Sequence, residues 1–143
     1  MVKAVTLEEK SQGCAISHYF AKTLNIGFDH TLRRTTEVLK QEGFGIITEI
    51  DVKDTFKKKI NVDFRNYRIL GACNPALAHE ALQIENKVGT MLPCNVVVQD
   101  AAGGKTEVAA IDPVASMQAV DNPCLKQAAA RVQAKLKKVI ESL

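Results

Sequence analysis

Tyr67-Arg68-Ile69-Leu70-Gly71-Ala72-Cys73-Asn74-Pro75 turns a strand into a helix within one short run. Arg68 to Cys73 reads as a strand, with Tyr67, Ile69, Gly71 and Cys73 on one face by the alternation of side chains along extended backbone. Asn74 can cap the helix that follows, and Pro75 suits its first position, where the missing N–H has no helical partner to lose. An echo lies downstream in Leu92-Pro93-Cys94-Asn95-Val96-Val97-Val98, where a second Cys-Asn pair opens an apolar strand. Asp112-Pro113 and Asn122-Pro123 repeat the cap-plus-proline signature, so two further helices start there, one short and one long.

Outward from these segments the periods are clear. Ser17 to Leu24 suits a first strand, and Gly27 punctuates before Phe28, Leu32, Thr35 and Leu39 recur at helical spacing. Gly43 then stops that helix, with Phe44 free to fold back on its last turn. Ile46, Thr48, Ile50 and Val52 alternate with Ile47, Glu49 and Asp51, which predicts a strand with one wet face. Val52, Phe56 and Ile60 predict a short helix with Lys53, Lys57 and Lys58 outside. Pro75 to about Asn86 predicts another, with Ala78, Ala81 and Leu82 inward.

Met91 to Asp100 and Thr106 to Asp112 read as strands joined by Ala101-Ala102-Gly103-Gly104-Lys105, a hairpin signal. The last helix carries Leu125, Ala129, Val132, Leu136, Val139, Ile140 and Leu143 in one stripe. The whole predicts an α+β, two-layer fold: a mostly antiparallel sheet of about five strands with helices on one face. Residues 1–16, Cys14 among them, read as an N-terminal arm, and residues 17–143 as a single domain.

Composition narrows the classes of function. The chain has 143 residues, 46% hydrophobic and 24% charged, with a net charge of +3, no Trp and few aromatics. Basic residues are interleaved with acids outside Lys57-Lys58-Lys59 and Lys135/Lys137/Lys138, and both runs fall on helix faces, so no nucleic-acid partner is expected. No apolar run reaches the ~18 residues a membrane span needs, and acids interrupt the N-terminus, so neither membrane nor export is expected. Four irregularly spaced cysteines do not make a disulfide framework, which points to a reducing, cytoplasmic setting.

The motifs resemble a known family. Asn25 to Asp29, Glu42-Gly43-Phe44-Gly45, Glu49 to Val52, Val62-Asp63-Phe64-Arg65, Tyr67 to Pro75, Leu77-Ala78-His79, Leu92 to Val96 and Asp112-Pro113 are similar to the bacterial and archaeal family called domain of unknown function 302. The resemblance covers roughly residues 18–142. It implies a two-layer fold similar to the TATA-binding-protein-like architecture, often as a homodimer. It implies no established activity, so it carries over no catalytic residues and leaves any cofactor open.

Cys73 is the candidate nucleophile, because a thiol ahead of a helix N-terminus feels the positive end of the dipole and nearby backbone N–H groups. The competing reading is a small buried hydrophobe at a strand–helix junction. Cys94 alternates with Leu92, Val96 and Val98 and reads as core. A helix of about 12 residues rises ~18 Å, which would leave Cys73 and Cys94 at opposite ends of the sheet. His79 points away from the apolar face of its helix, and no zinc-type cysteine pair occurs, so no metal set is expected.

Cys124, in the first turn of the last helix, supports no mechanism. Asn74, Asn95 and Asp112 serve as caps and turn formers, or Asn74 and Asn95 join Cys94 in a ligand site. Glu49, Asp51, Arg65 and Arg68 could line a pocket on the open sheet face beside Tyr67. No Walker loop, G-x-G-x-x-G, G-x-S-x-G or H-E-x-x-H is present. The expected function is therefore a homodimeric small-ligand-binding or metal-binding accessory protein. The alternative is a thiol-based redox or nucleophilic enzyme using Cys73.

Overall fold

The computed structural model describes residues 17–143; the expected arm and Cys14 lie outside them. Strands β1 (Tyr19–Leu24), β2 (Gly45–Asp51), β3 (Tyr67–Cys73), β4 (Cys94–Asp100) and β5 (Thr106–Ile111) form one sheet in the order β1-β5-β4-β3-β2. Every neighbouring pair is antiparallel. The helices are α1 (Phe28–Gln41), α2 (Val52–Ile60), α3 (Pro75–Ile84), α4 (Pro113–Ser116) and α5 (Pro123–Ser142). The expected α+β class, with an antiparallel sheet of five strands, is the one observed.

Local chemistry starts and stops these elements. The side chains of Asp51, Asn74, Asp112 and Asn122 each accept a backbone N–H from the first turn of the helix they precede. Proline fills the first helical position in α3, α4 and α5. At the end of α1, Gly43 takes a φ of 85°, the Phe44 N–H reaches the Leu39 carbonyl and the Gly43 N–H reaches that of Lys40. That is a Schellman turn, closed by Phe44 packing into the same core as Leu39.

The main core lies between the sheet and α1 and α5. Leu70, Ala72, Val96, Val98, Val108 and Ala110 of the sheet meet Leu39 of α1 and Leu136 and Val139 of α5, all essentially removed from water. Each large aliphatic side chain so buried contributes roughly 1.5–3 kcal/mol before the entropy of ordering is set against it. A smaller cluster of Ala81, Val88, Met117, Leu125 and Ala129 binds α3, α4 and the 3₁₀ turn Asn86–Met91 to the first half of α5.

Two expectations are corrected. Ile46 pairs with Ala72 and Thr48 with Gly71, so Ile47 is an extra, unpaired residue. This bulge resets the period: Ile46 joins Glu49 and Asp51 on the helix side, and Thr48 and Ile50 face the other way. Simple alternation had grouped Ile46 with Thr48 and Ile50. Leu82, expected inward, is 40% exposed at the rim of the helix, whereas Ala81 is buried and Ile84 packs against the cluster that holds Leu125 and Ala129 of α5.

Candidate ligand-binding site

In the antiparallel β3–β4 pair, Ala72 lies directly opposite Cys94, one position from Cys73. The two thiols therefore share one end of the sheet, against the expectation that α3 separates them. The helix does run away from Cys73, but it ends at Ile84, and the 3₁₀ turn Asn86–Met91 carries the chain back. Within the strand register Cys73 and Cys94 lean to opposite faces, so proximity does not make them a facing pair. Both are free thiols.

Between α3 and α5, above this end of the sheet, lies a cleft of about 310 Å³. Its floor is Phe44, Ala72 and Cys94; its walls are Leu77, Ala78 and Ala81 of α3 facing Leu125, Ala128, Ala129 and Val132 of α5. Ile47, Leu82, Leu92, Pro93, Pro113 and Met117 complete it, with Cys73 and Asn74 at the start of α3. Alanine at four facing positions on the two helices leaves the space, since any larger aliphatic residue there would fill it. Glu80 of α3 and Arg131 of α5 pair across the helices on the outside.

The cleft is electrically quiet. No lining side chain is charged, and the Asn74 side-chain amide oxygen already accepts the Leu77 N–H at 3.2 Å. Burial, reinforced by the nearby Cys73 sulfur, pushes the Cys94 thiol up to about 11, so it stays protonated at neutral pH. The close approach behind the site depends on glycine. A Cβ at Gly71 would stand 2.0 Å from Thr48 Oγ1 and 2.8 Å from Pro93 Cγ.

A second cavity of about 260 Å³ adjoins the first and shares Leu92, Pro93, Cys94, Pro113 and Met117 with it. Thr90, Met91, Asn95, Ile111 and Ser116 form the rest of its lining. Among the described residues no three His, Cys, Asp or Glu side chains gather as a metal-holding set. His79 is exposed on α3.

The candidate residues divide three ways. Cys73, Cys94 and Asn74 meet at the apolar cleft, and Asn95 at its neighbour. Glu49 lies on the helix side of the sheet, where Arg68 bonds it at 2.6 Å and Asp51 at 3.3 Å. Arg65 and Tyr67 belong to the opposite face, with the Arg65 guanidinium 4.3 Å from the Phe64 ring centre and its Nε donating to Gln99 at 3.0 Å. The pocket of Glu49, Asp51, Arg65, Arg68 and Tyr67 is thus not formed, since the bulge at Ile47 sends its acids to one face and Arg65 and Tyr67 stay on the other.

Gln99 passes the chain of hydrogen bonds on to Glu107, whose carboxyl burial raises and the Gln99 N–H partly lowers. The residues not anticipated are the cleft's own walls. Their signal was alanine at interior positions of both helices, which reads equally well as tight packing.

No helix among the described residues is long and apolar enough to cross a membrane. No curated protein matches the sequence. The crystal structure of an uncharacterized conserved DUF302 protein from Bacillus stearothermophilus is similar to this one with a TM-score of 0.80 and 30% identity, over 87% of this chain and 96% of that one. The family model described as Domain of unknown function DUF302 matches residues 20–143. With the match running from the second residue of β1 through both Cys-Asn segments to the end of α5, the chain belongs to the DUF302 family.

Proposed function

We propose that this is a homodimeric small-molecule-binding protein of the cytoplasm whose ligand occupies the apolar cleft between α3 and α5. The observation that carries the reading is an apolar space of about 310 Å³ beside a core whose central side chains are otherwise fully buried. Protein interiors close-pack, and an apolar wall with nothing against it forfeits dispersion contacts. At ~30 Å³ per water-sized group, the space matches a ligand body of roughly ten non-hydrogen atoms. An ionised body would lose its hydration with no charged partner on the wall, so the buried part is neutral.

Naphthalene, a neutral body of that size, is a suitable probe, and a chain without Trp leaves its fluorescence uncluttered. Ala78 lines the cleft and is half-buried. Ala78→Phe fills the space and is expected to weaken naphthalene binding about tenfold or more while costing stability about 1 kcal/mol. Unchanged binding in that variant would move the site elsewhere. For the dimer, the sheet face turned away from α1 and α5 presents Ile50, 48% exposed, with Ile69 and Val97 half-buried beside it. Native mass spectrometry is expected to show two copies, and a clean monomer at micromolar concentration removes that part of the reading.

A thiol-based activity is the second reading, favoured by Cys73 standing half-buried on the cleft wall at the start of α3. It requires Cys73 to react with iodoacetamide faster at neutral pH than an ordinary thiol, in a Cys94→Ala, Cys124→Ala background. Reaction at the ordinary rate dismisses it.

A further inference from the structure

We infer that the ligand is longer than the cleft, with an apolar extension that leaves it and lies over Ile47 and Leu82 at the mouth. This rests on the cleft being a ligand site, and adds the length of what it takes and the residues that read the part outside. Large hydrophobic side chains stand in water at several places among the described residues. Ile47, 61% exposed, and Leu82, 40% exposed, are the two of them that also line the cleft. A side chain that lines a cavity and still meets solvent marks where the cavity opens.

Ile47 owes its place to the bulge in β2. Ile46 pairs with Ala72 and Thr48 with Gly71, so the β2–β3 ladder closes without Ile47. Ile46 packs against the main core, and Thr48 fills the space beside Gly71. The fold thus uses both neighbours, and the extra residue serves to aim one more aliphatic side chain at the mouth, a known use of bulges beside binding sites. β2 is also an edge strand, where an exposed isoleucine invites unwanted pairing and a charge would be safer. Leu82 stands likewise next to Ala81, which α3 buries while leaving the larger side chain wet.

A compact body of about ten non-hydrogen atoms fills the cleft and leaves both side chains in water. An extension of about four carbons covers them and is itself covered on one side. A methylene taken fully from water is worth about fourfold in affinity, so one covered on a single side is worth about twofold. The ligand class is therefore an extended apolar molecule, such as an alkyl-substituted ring, rather than a compact one.

Fluorescence titration with naphthalene and with 2-butylnaphthalene tests this. The butyl compound is expected to bind about tenfold more tightly. In an Ile47→Ser, Leu82→Ser double variant that ratio is expected to fall below about threefold; both side chains are exposed, so the fold survives the change. Ile60→Ser removes an isoleucine that is 63% exposed and outside the cleft, and is expected to keep the wild-type ratio. A wild-type ratio below about threefold overturns the extension, as does a double variant that keeps the full ratio or an Ile60→Ser variant that loses it. In each of these cases naphthalene binding by the wild type keeps the cleft as a ligand site. Failure of both compounds to bind overturns the cleft itself, and this inference with it.

Discussion

The two ends of strand β3 present opposite solutions to the same problem of finishing a sheet. At the Tyr67 end, charge is met by charge. Arg68 is held between Glu49 and Asp51 on one face, while on the other Arg65 lies over Phe64 and joins Gln99 and Glu107 in a hydrogen-bonded row. Phe56, Phe64 and Tyr67 pack ring to ring beside them, with centroids 5.1 and 6.2 Å apart. At the Cys73 end no charged side chain lines the cleft, and small side chains leave it open. One end has its requirements met from within the chain, and the other has apolar surface to spare. Ionisable residues drew attention to the first end, but unfilled space makes the second the place for a ligand.

That contrast can be broken most directly at Gly71. Gly71→Ala sets a methyl group against Thr48 and Pro93, and is expected to cost about 2–3 kcal/mol in urea unfolding as the Pro93 wall is pushed back. A cost near zero would mean that the cleft end rearranges freely.

Next comes the pH dependence of Cys94. Its folded-state value of about 11 stands above the ordinary thiol value of 9.0, so the folded protein holds this proton more tightly than the unfolded chain. The contribution is present in full below about pH 9 and is lost as pH rises toward 11, an effect of order 2 kcal/mol. Cys94→Ala is expected to flatten the stability curve across that window, whatever it does to stability at pH 7. Parallel curves for the variant and the wild type would show that the thiol is hydrated.

The smallest effect belongs to the charged end. Arg68→Met removes pairs whose members are 31–43% exposed, and is expected to cost about 1 kcal/mol or less. Naphthalene affinity should be untouched, since Arg68 lies at the other end of β3 from the cleft. A loss of binding in that variant would join the two ends into one site.

Much of this fold was legible in short segments. Asn74-Pro75, Asp112-Pro113 and Asn122-Pro123 mark helix starts because the cap and the fixed φ act within a few residues of themselves. Gly43-Phe44 announced the end of α1 for the same local reason. The site was less legible. Cys73, Cys94, Asn74 and Asn95 line one or other of two cavities that share a wall, whereas Glu49, Arg65 and Tyr67 were drawn in by their chemistry and lie elsewhere. The bulge at Ile47 escaped the alternation, because an extra residue is defined only against the partner strand.

By itself, then, the sequence determined where the helices start, most of the apolar faces outside the bulged β2, and that the chain resembles the DUF302 family; each of these depends on neighbours in the chain. Only the tertiary structure decided that a 3₁₀ turn returns Cys94 to the side of Cys73, and that alanines from α3 and α5 face one another across empty space. A cavity is the shortfall between side chains distant in sequence. It arises from how two helices come to rest on a sheet, and that is a property of packing rather than of any local signal.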